Sequence, residues 1–372
     1  MTVKKTFPKI LWLIVSSSIF FIILYFALFY YTKKAERQVY KDSVEQFDNE
    51  IHKLLSLESK PIFVAINNDT NWDEFVDWFH DEQSCTSYLY ALRWPNGFIC
   101  PSCSSHQSPY QLSNGKLKCH ACRSQCSVTS NTLFDKTRTP MKSWFAAVWF
   151  ITNQKNGVSA LGVQRLLGLG SYQTAWSLMH KLRYAMVDPE RDKLSGIVEV
   201  DETLIGGFIP KSSIKNQQDK RKAIVLVAVE LLSPSGFGRI RLRQVESATK
   251  EHIHQFIQDV IEPGSTICSD GSQAYKQIDK KGYKHNRMVH LGSSVPAHET
   301  MAGVHRVSSL CKRWLLGTYQ GAVKAKQLDY YLDEFTFRFN RRKSDSRGLL
   351  FYRLLEQAVR SKPITYQSIK NR

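Results

Sequence analysis

Acidic residues are in short supply. Asp and Glu number 33 against 51 Lys and Arg, a formal net charge of +18 at pH 7. That deficit points to an acidic polymer as partner, nucleic acid first and an anionic membrane surface second. Cysteine is also sparse, with eight in 372 residues, and the eight are not spaced as a disulfide framework. A chain of this length has room for a proper core and two or three compact units, so a stapled secreted scaffold is excluded. No internal repeat is present. Charge is wholly missing from residues 10–31 (ILWLIVSSSIFFIILYFALFYY), an apolar run of about 22 residues, long enough for one bilayer-spanning helix. Its basic flanks (Lys4, Lys5 and Lys9 before; Lys33, Lys34, Arg37 and Lys41 after) are nearly balanced and fix no orientation. No small-residue cleavage site follows it, which argues against a signal peptide.

Beyond this run, residues 35–57 space Val39, Val44, Phe47, Ile51 and Leu54 as an amphipathic helix, read as a stalk. Residues 139–187 are helical in pattern, with breaks at Gly157 and around Gly168 and Gly170. After Pro189 the period shifts toward two. Residues 197–201, 223–232 and 240–245 read as three strands, 251–261 as a helix, 265–269 as a short strand, and 305–315 and 326–339 as helices. That order predicts an α/β domain, a mixed sheet with flanking helices.

Four cysteines form two tight pairs, Cys100, Cys103, Cys119 and Cys122, in the pattern C-x2-C-x15-C-x2-C. Two residues between thiolates let both reach one ion from a knuckle turn, and two knuckles complete a tetrahedron. Asn114-Gly115 supplies a hairpin turn between the pairs. The pattern predicts a structural Zn²⁺ ribbon. His120 and Cys126 break the paired geometry; Cys85, Cys268 and Cys311 read as small buried groups.

Residues 159–167, a glycine-containing turn and residues 172–186 form a helix-turn-helix pattern. Gln173, Thr174, Ser177 and Lys181 are the side chains expected to face DNA, while Trp176, Leu178 and Met179 pack inward. Any short helical hairpin offers the same pattern.

Asp201 and Asp270 each close a β-patterned run. Carboxylates on neighbouring strands suit hard cations, and a pair of Mg²⁺ ions can activate water and stabilise the leaving oxygen of a phosphodiester. Taken singly, each aspartate equally reads as the start of a turn.

Four segments carry a family resemblance: Leu92-Arg93-Trp94-Pro95-Asn96-Gly97-Phe98 running into the first cysteine pair, Glu199-Val200-Asp201-Glu202, Lys312-Arg313-Trp314-Leu315-Leu316-Gly317-Thr318, and Tyr331 to Phe335 followed by Phe339-Asn340-Arg341-Arg342. Residues 71–343 resemble an insertion-sequence transposase with an N-terminal zinc ribbon and a DDE-type catalytic domain. The resemblance implies an RNase H-like fold and phosphodiester chemistry with Mg²⁺ or Mn²⁺ on Asp201 and Asp270. It further implies recognition of the element's terminal repeats and of target DNA, and a homo-oligomer in the active complex. The third acid departs from the pattern. Seven positions before the basic Lys312, and 35 after Asp270, stands His305. Imidazole serves Mg²⁺ poorly and softer metals better; Glu299 is the rival carboxylate. Lys312 and Arg313 are expected on phosphate, and Arg338, Arg341, Arg342 and Lys343 form a further basic run.

Residues 1–70 lie outside this resemblance. They resemble the start of a membrane sensor, with Asn68 to Phe75 similar to the opening of a CHASE-type domain. The expected organisation is therefore a transmembrane and sensor-like remnant at 1–70 and a zinc ribbon at 71–135. A helix-turn-helix at 136–190, a catalytic domain at 191–345 and a tail at 346–372 follow. The expected location is cytoplasmic or nucleoid, with membrane association if residues 10–31 insert. The competing expectation is a catalytically inactive DNA-binding remnant fused to a sensor segment.

Overall fold

Short polar side chains set the first two helices. In the computed structural model, α1 (Trp72–Trp78) starts where the Asn71 side-chain Oδ1 accepts from the N–H groups of Asp73 and Glu74, and α2 (Glu82–Arg93) starts with a reciprocal capping box between Asp81 and Ser84. Three two-residue strands, β1 (Tyr110–Gln111), β2 (Leu117–Lys118) and β3 (Gln125–Cys126), pair antiparallel as a small ribbon. Helices α3 (Met141–Asn153), α4 (Ala160–Leu166) and α5 (Tyr172–Ala185) follow. The residues described are 71–188, 190–206, 222–232, 236–288, 300–344 and 347–371. The expected membrane span, the stalk and the sensor-like residues before 71 lie outside them, as does Glu299. Among the described residues no helix is long and apolar enough to cross a membrane.

β-branched runs then build a five-stranded sheet from β4 (Ile197–Ile205), β5 (Ala223–Leu231), β6 (Phe237–Val245), β7 (Thr266–Ser269) and β8 (Lys284–Arg287), in the order β6-β5-β4-β7-β8. β4, β5 and β6 pair antiparallel, while β7 joins β4, and β8 joins β7, in parallel. The sheet is mixed, as expected. Helix α6 (Lys250–Val260) makes the crossover from edge strand β6 to β7, covering one face. Alternation divides the strands. Val198, Val200, Leu226 and Ala228 pack with Phe256 and Ile257 of α6, while Val225, Val227 and Val229 pack against α7 (Ala302–Tyr319) and α8 (Leu328–Asn340) on the other face.

The last described elements, α9 (Arg347–Arg360) and α10 (Tyr366–Asn371), correct the expectation of a tail. Leu350, Phe351, Leu354, Leu355 and Ala358 recur at helical spacing and are buried in the core built by α1, α2, α3 and α5. The Phe351 ring meets Phe75 at 5.6 Å and Phe145 at 5.8 Å, and Leu133 N–H donates to the Ala358 carbonyl at 3.1 Å. Phe75 is thus a core residue of the helical body. The part of the CHASE-like resemblance that falls on α1 belongs to this core.

Candidate active site

The ribbon brings the four predicted cysteines together. Each pair sits on the same turn: Ser104 N–H donates to Cys100 carbonyl and Arg123 N–H to Cys119 carbonyl, with Ser104 and Arg123 both at positive φ. Cys100 Sγ lies 3.7 Å from Cys122 Sγ, Cys103 Sγ lies 3.7 Å from Cys119 Sγ, and all four sulfurs fall within 4.8 Å of one another. Four soft donors at this separation fit a tetrahedral zinc ion. His120 instead stacks on Tyr110 at 3.6 Å. Cys85, Cys268 and Cys311 are buried as read from the sequence.

Helices α4 and α5 form the expected helical hairpin. Ser159 and Ser171 cap them, accepting from Gly162 N–H (3.0 Å) and Thr174 N–H (3.2 Å), and Gly168 takes the positive φ that the turn between them needs. Gln173 and Thr174 are exposed on the first turn of α5, and Leu178 and Met179 are buried. Lys181 is half-buried, and desolvation pulls its pKa down against the pull of Asp135. Its ammonium is therefore less open to solvent than the side chains of Gln173 and Thr174. Of the other basic run, Arg338 donates to the carbonyls of Ile151, Gln154 and Lys155 at the end of α3, and Arg342 to those of Phe237 and Gly238. Those two guanidiniums hold the fold together.

Asp201 lies inside β4, which continues to Ile205, and not at its end. Asp270 directly follows β7. The parallel register pairs Glu199 with Cys268; Asp201 lies two residues past the first and Asp270 two residues past the second, just beyond the end of β7. Residues of one parity share a face: Glu199 meets α7, and Asp201 faces the same way. Both aspartates are half-buried. Asp270 also makes the turn contact the sequence allowed, its Oδ1 accepting from Ser272 N–H at 3.0 Å.

Glu202 is the side chain that the sequence reading passed over. Burial first, then the charges of Asp201 and Asp270, push its carboxyl above the usual range, and Tyr275 donates its hydroxyl proton to Glu202 Oε2 at 3.4 Å. Both aspartates also raise the buried Tyr275 phenol, after desolvation and Glu202. The charges of both aspartates therefore reach Glu202 and Tyr275. The only hint was an Asp-Glu pair on one strand.

Helix α7 delivers the remaining candidates. Its N-cap Met301 makes no side-chain cap; instead Glu199 Oε2 reaches across from β4 and accepts from Val304 N–H at 2.9 Å. Gly303 makes that approach possible, since a Cβ there would stand 2.8 Å from the same oxygen. Burial raises Glu199, opposed by the N–H groups of Val304 and Gly303 and by nearby His305. His305 is half-buried on α7, near enough to Glu199 for its charge to be felt there. Lys312, two turns on, and Arg313 are exposed. Among the described residues the cysteine set is the only group of three or more ligands within 4.8 Å. The oxygen donors of Asp201 and Asp270 suit a hard divalent cation, and the His305 imidazole does not; Glu202 shares the parity of Val198 and Val200 and turns toward Tyr275 on the α6 face.

Comparison with known proteins follows this division. Residues 80–125 match a transposase zinc-ribbon domain and residues 193–340 an ISXO2-like transposase domain; neither match touches residues 1–70, and nothing supports the sensor resemblance there. An uncharacterized protein in transposable element ISH50 of Halobacterium salinarum is 24% identical over 276 residues, 70% of this chain and 91% of that protein. The catalytic core domain of BIV integrase overlaps 40% of this chain and 86% of its own, at 18% identity and a TM-score of 0.28, a likeness too slight to carry an argument. The four clustered thiols thus fall within the stretch that matches a transposase zinc ribbon, and the mixed sheet within the stretch that matches an ISXO2-like transposase domain.

Proposed function

We propose that this chain is a DNA transposase that cleaves DNA at the ends of an insertion sequence and joins the freed 3′-hydroxyl to target DNA. The observation that carries the reading is the β4–β7 register, which pairs Glu199 with Cys268, each two residues before one of the aspartates. Asp201 and Asp270 hold the divalent metal, Mg²⁺ or Mn²⁺, which when bound supplies an activated water and charge neutralisation at the leaving oxygen. Glu202, whose carboxyl is raised by burial and by the two aspartates, adds a third acidic group close to them. His305, close to Glu199 on α7, orients a phosphate or water, and Lys312 and Arg313 hold the DNA backbone. Gln173 and Thr174 read the terminal repeat from α5, with the ribbon zinc purely structural on Cys100, Cys103, Cys119 and Cys122. In this reading residues 71–135 are the ribbon unit, 136–190 the reader and 191–345 the catalytic unit, working as a homo-oligomer on the DNA of the cytoplasm or nucleoid.

A second reading, a DNA-binding protein without catalysis, is favoured by one observation: a histidine stands where the pattern asks for the third acid. Nicking of duplex carrying the terminal repeat separates the two. Wild type is expected to nick with Mn²⁺ better than with Mg²⁺, because imidazole prefers the softer ion. Asp201→Asn and Asp270→Asn should lose at least a hundredfold in rate while still binding the duplex, and His305→Glu should raise the Mg²⁺ rate. Absence of nicking with either metal, with the duplex still bound, would leave the binding reading alone.

A further inference from the structure

Away from the carboxylates, a cavity of about 270 Å³ opens where the end of α5, edge strand β6, α8 and α9 meet. Four arginines line it: Arg191, Arg239, Arg241 and Arg341. Arg239 is spent, gripping Glu230 with two nitrogens at 2.7 and 3.0 Å. The others are not. Arg241 is only 4% exposed, and its guanidinium is pinned by two backbone carbonyls, Ile240 at 2.9 Å and Asp192 at 2.7 Å. Arg341 lies over the Phe337 ring at 4.0 Å and donates to the Phe337 carbonyl. Neither appears in an ion pair among the described residues. Arg191 is exposed at the mouth.

Carbonyls and rings orient a guanidinium without neutralising it, and a buried cation without a counter-charge is costly. Here the cost is compounded: desolvation and then Arg191 and Arg239 lower Arg241 to about 10, with Glu230 pulling the other way and Arg341 adding to the repulsion. The acids in reach are few. Asp188 and Asp192 stand at the rim, Asp192 mostly in water, and Asp333 and Asp188 draw on Arg191. A separate orphan points the same way. The Gln357 Oε1 atom on the wall is buried with no donor. The two ends of that amide are alike in shape, and exchanging them would put an N–H2 donor where the unpartnered oxygen stands.

We propose that this cavity is an oxyanion site, in which Arg241, Arg341 and Arg191 grip a phosphate. Planar guanidinium forks match the paired oxygens of a phosphate. In the assembled complex the phosphate is a phosphodiester of the DNA backbone, a source that rests on the transposase reading. The cavity sits between the reader helix and the sheet, so a phosphate seated there fixes the duplex in register while carrying no base information.

The test uses the full chain in two arms. Thermal unfolding is followed in sodium phosphate against sodium chloride at equal ionic strength, for wild type, Arg341→Gln and Arg191→Ala. Phosphate raises the midpoint of most proteins somewhat, so the readout is the excess in wild type over the variants. Arg191, exposed at the mouth, is the variant that folds if Arg341→Gln does not, and midpoints in chloride report folding. The second arm measures duplex affinity against salt. Loss of one phosphate contact should flatten the log–log slope by about 0.9 and weaken binding alike for cognate and unrelated sequences. An excess phosphate shift lost in both variants, with the flatter slope, supports the proposal with DNA as source. The same shift with an unchanged slope supports the oxyanion site and overturns DNA as its source. No excess shift and no change in slope overturn the site altogether. Nicking by wild type, measured in parallel, separates that failure from failure of the catalytic reading.

Discussion

Glu202 is where the electrostatics of single residues become measurable. Its carboxyl is raised by burial and by Asp201 and Asp270, so the folded state binds the proton more tightly than the unfolded chain. Stability is then unpenalised below the unfolded value near 4.5 and falls as pH rises through the higher folded value. Glu202→Gln should therefore unfold at a higher temperature than wild type at pH 7.5, with the advantage vanishing near pH 4. Mg²⁺ should narrow the difference at pH 7.5, because a cation among the carboxylates stabilises their charged forms. A midpoint difference that stays constant from pH 4 to 7.5 would remove Glu202 from the cluster. None of this was legible from the residue alone. Asp201 and Asp270 could be picked out because each follows a β-patterned run, whereas the state of Glu202 depends on a neighbour about 70 positions away being drawn alongside by strand pairing.

Among the elements, α5 and α8 are joined by a buried ion pair. Arg183 Nε donates to Glu334 Oε2 at 2.8 Å, with the two side chains 1% and 0% exposed, and Tyr319 of α7 donates to the same oxygen at 3.1 Å. Arg183 also lies over the Tyr331 ring at 4.2 Å. Removing one partner leaves the other charge buried, so Arg183→Met should cost about 3–5 kcal/mol. Arg183→Met with Glu334→Leu should recover much of that loss, which denaturant unfolding of both variants would check. Additive losses in the double variant would mean the two groups act independently. Sequence reading served the elements unevenly, for physical reasons. The β4, β5 and β6 runs announce themselves because both faces of their sheet are covered and alternate positions must be apolar. Strand β8 (Lys-His-Asn-Arg) is a polar edge strand with no such signature. Helix α9 does carry apolar residues at helical spacing, but its partners lie in α1, α2 and α3, more than 190 residues earlier in the chain, and nothing local indicates that they are joined. Conversely, Arg338 and Arg342 read as a surface charge run because carbonyl partners leave no trace in a sequence.

At the scale of the whole molecule, the zinc centre is continuous with the main core. Phe98, Cys100, Leu117 and Cys119 are buried in the same cluster as Trp94, Phe145 and Phe351. Four thiolates of this kind typically cannot hold their turns once the metal is gone. A zinc chelator should therefore lower the unfolding midpoint of the full chain by several degrees as well as loosening the ribbon, and zinc should restore it. Release of zinc with the midpoint unmoved would show the ribbon to be energetically separate. The net charge of +18 sets a different global property: affinity for any duplex should fall steeply with salt.

The contact between Glu199 and the start of α7 has one more implication. That helix is anchored through its backbone N–H groups and a glycine, Val304 and Gly303, and not through the side chain at 305. No part of that contact passes through the side chain at 305, yet His305 lowers the Glu199 carboxyl that makes it. An amide at 305 would leave the mount as it is, whereas a carboxylate would set like charge beside the oxygen that holds the helix, so a change of metal preference there is felt first by the anchor of α7.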